Sequence, residues 1–211
     1  MMRSSPTGRA DSATHTSPAA RTVVRRLSGV NSGLTKLSTK AEPFFRRYQY
    51  PDWLETHSRT VGAIAEALLA GRRPRAPRID GEAVVLAAYL HDVGRSPLLA
   101  GDARDHNILS GLVLAAEGLD ACVELARRHA IYTVLDPDLV PRTAEEKLVY
   151  VADRRGGQVV EPLEERARDT AQRNPRYATE IERAIPLAKA IEREVFSDVS
   201  FAPEDLEEKV R

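Results

Sequence analysis

Apolar residues recur three or four positions apart over most of the chain beyond Pro43, which is the spacing of one face of an α-helix. The clearest example is PDWLETHSRTVGAIAEALLAG, which begins at Pro51 and ends at Gly71, a residue typical of a helix end. The stretch DGEAVVLAAYLHDVG is apolar enough for burial and predicts a helix that begins at Asp80 and ends near Gly94.

Further stretches show the same helical pattern. They are DARDHNILSGLVLAAEG, LDACVELARRHAI, RTAEEKLVYVADRRGG, VVEPLEERARDTAQRN and PRYATEIERAIPLAKAIEREVF. Thr143 and Glu146 have the spacing of a capping box, and Pro175 stands at a favoured first helical position. The proline-containing stretches RRPRAPR and YTVLDPDLVP predict loops. Because no stretch alternates over five or six residues with β-branched side chains, the prediction is an all-α fold, a single helical bundle.

Composition divides the chain into a body and two tails. Residues 1–42 are rich in Ser, Thr, Arg and Gly, and they predict a disordered basic tail because they cannot bury enough apolar surface to offset ordering entropy. The first 40 residues hold seven basic residues and one acid, which fits a plain tail, an organellar transit peptide or a mis-assigned start. We expect residues 43–197 to form one domain and residues 198–211 a loose tail.

The totals exclude several classes of protein. The chain has 31 basic and 31 acidic residues, so net charge gives no case for nucleic-acid or membrane binding. No apolar run approaches the roughly 18–20 residues of a membrane span, and no segment has the pattern of a secretory signal. The single cysteine, Cys122, is expected to be a buried, inert thiol in a reducing compartment. These features predict a cytoplasmic protein, with an organelle as the alternative.

Four of the five histidines and two aspartates fall on inward faces or at the ends of predicted helices. They are His57, His91, Asp92, His106, His129 and Asp153. Taken singly, a histidine on an apolar face is more often a hydrogen-bonded core residue than a ligand. However, buried and unpaired carboxylates at Asp92 and Asp153 would be costly, and we expect no lysine or arginine on those helix faces to pair with them. A divalent cation removes this cost, because carboxylate oxygen and neutral imidazole are natural metal ligands.

In this order the residues resemble the HD-domain family of metal-dependent phosphohydrolases. LHDVGR is similar to the HDIG variant of the family motif, and HSRTV and EEKLVYVADRR are similar to the opening and closing helices, so the resemblance covers about residues 50–160. It implies a helical HD fold and one or two divalent ions, with Mn, Fe, Mg, Co and Ni as candidates. The implied ligands are His57, His91, Asp92 and Asp153 for the first ion, with Asp92 bridging to a second ion held by His106 and His129.

The activity that the resemblance implies is hydrolysis of a phosphomonoester or nucleotide by a metal-activated water. Asp92 is the candidate for bridging the ions and orienting the nucleophile. Arg95 either clamps a phosphate oxygen or is a solvated arginine after a helix end. Arg154 and Arg155 are expected to be the charged end of a surface helix, with a position facing phosphate as the alternative. The expected partner is a small phosphorylated substrate such as a nucleotide.

Two departures from the family pattern affect the choice of substrate. Arg95 stands where the family more often has lysine, which replaces a point donor with a planar fork. RHAIYTV lacks the Thr-Thr-Gly of the branch that cleaves diadenosine tetraphosphate symmetrically. That activity, a catalytically silent module that binds metal or nucleotide, and a structural protein whose histidines are core residues are the alternatives. Two ions are favoured over one because His106 and His129 are both present.

Overall fold

The protein is represented by a computed structural model that describes residues 35–210, and this range contains nine α-helices. They are α1 (Thr35–Arg47), α2 (Asp52–Ala70), α3 (Gly81–Leu90), α4 (His106–Ala116), α5 (Asp120–Arg127), α6 (Ala144–Arg155), α7 (Leu163–Arg173), α8 (Ala178–Ser197) and α9 (Leu206–Val210). Short 3-10 turns lie at Val93–Arg95, Pro97–Leu99, Ile131–Leu135, Pro175–Tyr177 and Pro203–Asp205. Residues 35–210 contain no strand beyond two isolated bridges, which confirms the all-α prediction.

Helix α3 is the centre of the bundle. Every residue from Ala83 to Leu90 is buried, as expected for a helix that is apolar on all sides. It contacts α1, α2, α5 and α6. Asp80 caps its first turn, since a side-chain oxygen accepts the Ala83 amide at 3.0 Å. Because α3 is enclosed by its neighbours, the residues that directly follow its last turn also lie inside the bundle.

The start of α6 is fixed by the predicted capping box. The Thr143 hydroxyl accepts the Glu146 amide at 3.2 Å, and the Glu146 carboxylate accepts the Thr143 amide at 3.1 Å. Val149 and Tyr150 are fully buried on the inward face, which continues to Asp153 on the last turn. The prediction for this helix is therefore confirmed.

Helix α8 covers the bundle from outside, packing against α6, α7 and the 3-10 turn Ile131–Leu135. Its buried positions follow the helical period: Ile181, Ala184, Ala188, Ile191 and Val195. The predicted helix start at Pro175 is a 3-10 turn, and the α-helix begins at Ala178. The predicted loop YTVLDPDLVP opens with another such turn, Ile131–Leu135.

The predicted N-terminal tail needs a correction. Its residues 1–34 lie outside the described range, but residues 35–42 are part of helix α1. The reason is an apolar stripe of Leu37, Ala41 and Phe45, spaced four apart and at most 8% exposed. Burial of this stripe outweighs the polar, basic composition that suggested disorder.

The predicted loose C-terminal tail is also wrong for the residues described. Helix α9 lies within it and packs against α2. Val199 and Leu206 are fully buried. The division of the chain into one domain at 43–197 stays a prediction.

Two predictions about single features can be compared directly. Cys122 is buried as expected, and burial raises the pKa of its thiol to about 11. Within the range 35–210, no helix is both long and apolar enough to cross a bilayer.

Candidate metal centre

The structure brings all six candidate side chains to one point inside the bundle. Five helices position them: His57 is in the second turn of α2, His91 and Asp92 directly follow α3, His106 is the first residue of α4, His129 follows the end of α5, and Asp153 is in the last turn of α6. All except His106 are at most 4% exposed. The His106 side chain is 17% exposed and lies at the open edge of the cluster.

One group of ligand atoms lies between α2, α3 and α6. The His57 and His91 Nε2 atoms are 3.1 Å apart, and Asp153 Oδ1 is 3.4 Å from the first and 3.6 Å from the second. Asp92 Oδ2 adds a fourth atom at 3.6 Å from His57 Nε2 and 3.8 Å from His91 Nε2. An ion about 2.1 Å from each of two ligands holds them roughly 3.0–3.4 Å apart. Two of the five spacings fall in this range, and the widest, 3.8 Å, requires only a small inward shift of the side chains.

A second group faces the other oxygen of Asp92. Its Oδ1 is 3.3 Å from His129 Nε2 and 3.5 Å from His106 Nε2. The two oxygens of this carboxylate therefore point at different imidazole pairs, which is the arrangement a bridging ligand needs. The trios His57, His91, Asp153 and His91, Asp92, His129 each have ligand atoms within 4.8 Å of one another and could hold a metal ion.

Backbone carbonyls fix which nitrogen of three histidines faces the cluster. The pairs are His57 Nδ1 with Gly157 O (3.3 Å), His91 Nδ1 with Ala88 O (2.7 Å), and His129 Nδ1 with Ala126 O (2.5 Å). A carbonyl oxygen only accepts, so each Nδ1 carries the proton and donates it. The Nε2 lone pairs are then directed inward, as in metal-binding histidines.

The charge states suit a metal as well. Burial lowers the pKa of His91 to about 3, and burial together with the Arg95 charge holds the pKa of His106 well below its usual range. Burial alone would raise the pKa of Asp92, but Arg95 and the neighbouring imidazoles lower it by more, and the net pKa is well below normal. Neutral imidazole and ionised carboxylate are the forms that ligate metals.

The cluster contains more hydrogen-bond acceptors than donors. His57 Nε2 and His91 Nε2 face each other at 3.1 Å with no proton on either, given their Nδ1 bonds. Asp92 Oδ1 is buried, makes no hydrogen bond within the described residues, and lies 3.3 Å from His129 Nε2. Facing, unpaired acceptors in a buried site are costly. A divalent cation removes that cost, so the residues present fit the metal.

Two arginines pair with the aspartates, contrary to the expectation that no basic side chain would. Arg95 Nε donates to Asp92 Oδ2 at 2.8 Å, and Arg95 Nη2 donates to His106 Nε2 at 2.9 Å. Arg154 Nη2 pairs with Asp153 Oδ2. The 3-10 turn after Asp92 places Arg95 three residues further on, beside the Asp92 carboxylate.

The prediction of a surface position for Arg154 and Arg155 is also wrong. Their exposed fractions are 6% and 7%. Arg155 lies 3.4 Å from Glu192 of α8 and donates to Pro203 O at 2.6 Å, so α8 and the C-terminal segment cover the end of α6. Arg154 packs over the Tyr150 ring, 5.7 Å from its centroid.

The segment after the His-Asp pair requires a glycine at position 94, because the backbone of α4 lies too close for a side chain. A Cβ atom there would lie 2.0 Å from His106 O and 2.8 Å from Ser110 N. The Gly94 amide instead donates to the Ser110 hydroxyl at 2.9 Å. This close contact docks the turn that follows Asp92 directly on α4, which brings His106 beside Asp92. Helix α3 itself ends at Leu90, earlier than the predicted end.

A cavity of about 670 Å³ opens from the cluster toward solvent, a size suited to a small-molecule ligand. Its lining also includes residues that were not predicted from the sequence, among them Trp53, Tyr132, Gln158, Arg166, Thr170, Arg173, Arg176 and Tyr177. Arg166, Thr170 and Arg173 share one face of α7, so the i, i+4, i+7 spacing could have revealed them. Trp53 opens α2 and the others lie in turns, where no periodic pattern indicates a common cavity.

Comparison with known proteins supports this geometry. The family model described as the HD domain matches residues 54–155, from the first turn of α2 to the last residue of α6. No curated protein and no solved structure matches the chain. The matched range contains every member of the cluster, and proteins with this domain are in general metal-dependent hydrolases. The HDIG subtype stays a prediction. Residues 54–155 of the chain therefore match the HD domain, within an all-α bundle built around the His-Asp pair.

Proposed function

We propose that this protein is a metal-dependent phosphohydrolase that hydrolyses a phosphomonoester or nucleotide with an activated water. One observation carries the proposal: inward-directed Nε2 atoms and two ionised carboxylates meet at the floor of a cavity of substrate size. The first ion is assigned to His57, His91, Asp92 and Asp153. The second is assigned to Asp92, His106 and His129.

When bound, a divalent cation lowers the pKa of water toward about 7 and withdraws charge from phosphoryl oxygens. The protein holds the ligands ready for it. Carbonyls of Ala88, Ala126 and Gly157 keep the imidazoles in one tautomer and orientation. Asp92 lies between both imidazole groups, so its carboxylate can orient a nucleophilic water at either oxygen.

Arg95 is the group assigned to the phosphate. Its side chain is 42% exposed at the cavity, while two of its N–H groups bond Asp92 and His106. A guanidinium has five N–H donors, so donors remain for a phosphate oxygen. Such charge-assisted bonds are stronger than neutral ones, and the planar fork suits phosphate geometry. The exposed position favours the phosphate clamp over a purely structural arginine.

The proposal is tested with the purified full chain, loaded in turn with Mn²⁺, Fe²⁺, Mg²⁺, Co²⁺ or Ni²⁺. The panel contains p-nitrophenyl phosphate, nucleoside mono-, di- and triphosphates, and diadenosine tetraphosphate, with release of phosphate or nucleotide as the readout. We expect turnover with at least one metal and substrate. Asp92→Asn is expected to abolish it, while the exposed Asp138→Asn is the matched control and should not.

Two results would contradict the proposal. Retention of metal without turnover of any substrate would favour a silent regulatory module. Failure to retain metal, with a loss of stability in His91→Ala that is the same with metal and with EDTA, would favour histidines that serve only as core residues.

A further inference from the structure

The cavity has a second charged wall that the metal cluster does not use. It is built by α7 and the turn that follows it, beyond residues 54–155 that match the HD domain. The arginines of this wall are Arg166, Arg173 and Arg176; Arg154 at the end of α6 lines the same cavity and pairs with Asp153 of the metal cluster. An HD domain alone therefore does not complete the cavity.

Five arginines line the cavity, and two of them pair with aspartates of the metal cluster, Arg95 with Asp92 and Arg154 with Asp153. Apart from the six candidate ligands, the lining includes Arg95, Arg154, Arg166, Arg173 and Arg176, against the acids Asp105, Glu161 and Asp169. Asp169 is shared between Arg173, at 2.6 Å, and Arg166, at 3.7 Å. With Asp92 and Asp153 counted, five arginines face five acids, so an excess of guanidinium groups would arise once divalent cations take up those two carboxylates.

The inner part of the wall is buried and incompletely paired. Arg154 is 6% exposed, and its Nε atom is buried without a hydrogen-bond partner in the described part of the chain. The Arg166 side chain is only 12% exposed and is held in place by bonds to Gly156 O at 2.9 Å and to the Thr170 hydroxyl at 3.0 Å. Buried guanidinium groups with unused donors are preorganised for an anion.

Repulsion between the guanidinium groups of this wall also favours the binding of an anion. Burial lowers the pKa of Arg166, the charges of Arg154 and Arg173 lower it further, and Asp153 and Glu161 only partly compensate. An anion placed between these guanidinium groups would relieve the repulsion. At the outer end, Arg176 stacks on the Tyr177 ring, 4.5 Å from its centroid, which holds another cation at the mouth.

We propose that Arg154, Arg166, Arg173 and Arg176 form a second phosphate-binding subsite, so that the substrate carries at least one phosphate group besides the one that is cleaved. The proposal rests on the phosphohydrolase assignment of the same cavity. It narrows the substrate class from phosphomonoesters in general to molecules with two or more phosphate groups, such as nucleoside polyphosphates.

The first test measures binding without catalysis. Inorganic tripolyphosphate is titrated by calorimetry into the metal-free full chain at low ionic strength, with orthophosphate for comparison. Arg173 and Arg176 are altered because neither contacts the proposed metal ligands in the contacts described. The double variant Arg173→Ala/Arg176→Ala is expected to weaken tripolyphosphate binding by about tenfold or more.

The control double variant is Arg168→Ala/Arg193→Ala. It changes the net charge equally, and Arg168 lies on the same helix but outside the cavity lining. We expect it to change binding by no more than about twofold, as surface charges contribute little. Equal weakening by both double variants would show general electrostatic attraction and overturn the subsite.

A second measurement separates this proposal from the phosphohydrolase assignment. In the metal-loaded protein, Arg173→Ala/Arg176→Ala should lower kcat/KM about tenfold for a nucleoside polyphosphate and leave p-nitrophenyl phosphate within about twofold. Equal effects on both substrates would overturn the subsite while the activity stands. Selective tripolyphosphate binding without turnover of any substrate would overturn the activity while the anion subsite stands.

Discussion

Arg95 donates its Nε–H to Asp92 Oδ2 at 2.8 Å, on the carboxylate that lies between both imidazole groups. The same guanidinium donates to His106 Nε2 at 2.9 Å. Two of the atoms assigned to metal binding are therefore used by an internal cation. Since the single lone pair of His106 Nε2 cannot serve both at once, Arg95 and the second ion compete for this imidazole.

Replacement of this arginine should consequently strengthen binding of the second metal equivalent. Arg95→Ala is expected to raise that affinity by about tenfold, because the charge-assisted hydrogen bond to His106 Nε2 no longer has to be broken. The measurement is a Mn²⁺ titration against a chelating indicator, with Arg193→Ala on the exposed face of α8 as control. An unchanged or weaker second equivalent would show that Arg95 does not compete with metal.

Metal should stabilise the fold through Asp92. At free metal one hundred times its Kd, a single site adds about 2.7 kcal/mol to the free energy of unfolding. Asp92→Asn is expected to lose most of this increment, whereas Asp138→Asn should retain it. Urea unfolding with metal and with EDTA measures the increment for each variant. A full increment in Asp92→Asn would remove this carboxylate from the proposed ligands.

Gly94 should tolerate no side chain. Gly94→Ala places a Cβ atom 2.0 Å from His106 O, so α4 or the turn must move. We expect a loss of about 1–3 kcal/mol in the free energy of unfolding, together with weaker metal binding through the displaced His106. Gly101→Ala is the matched control, since no atom lies within 4 Å of a Cβ there. Equal stability of both variants, measured by urea unfolding, would contradict the close contact described.

Glu66, which lies outside the metal cluster, should make the free energy of unfolding depend on pH. Burial raises the pKa of its carboxyl from 4.5 to about 6, although a hydrogen bond from the Tyr89 hydroxyl at 3.2 Å partly offsets the effect. The folded state therefore favours the protonated form. This contribution to stability is complete below pH 4.5 and is lost as the pH rises through 6.

Glu66→Gln removes that dependence. Relative to the parent, the variant should gain up to about 1 kcal/mol between pH 4.5 and pH 7.5, after allowance for partial exposure of the carboxyl. Urea unfolding of both proteins across this range gives the difference, in which contributions from the histidines cancel. A difference that does not vary with pH would refute the assignment.

Much of the site follows from local sequence rules. Helical periodicity places Asp153 on the inward face of α6, and the apolar character of α3 indicates that His91 is delivered to the interior. The positions that sequence reading missed depend on distant segments. Arg154 and Arg155 end a helix, which normally means solvent, but α8 and residues near Pro203 cover them. No local pattern contains that information.

The predicted end of the disordered N-terminal tail, at residue 42, was wrong for a different reason. Leu37, Ala41 and Phe45 carry a clear stripe, but the surrounding residues are basic and rich in Ser and Thr, and composition was averaged over the whole segment. Averaging removed a short amphipathic signal. The arginine face of α7 was missed because charges of both signs are interspersed along this helix, which is also the pattern of an ordinary solvated helix.

The most direct measurement is a crystal structure of the full chain grown with Mn²⁺, with ions located by anomalous diffraction. The account predicts an ion bound by His57, His91, Asp92 and Asp153, and a second ion beside Asp92, His106 and His129 once Arg95 has moved away. Absence of any ion within reach of His57 and Asp153, at metal concentrations that support binding in solution, would contradict it.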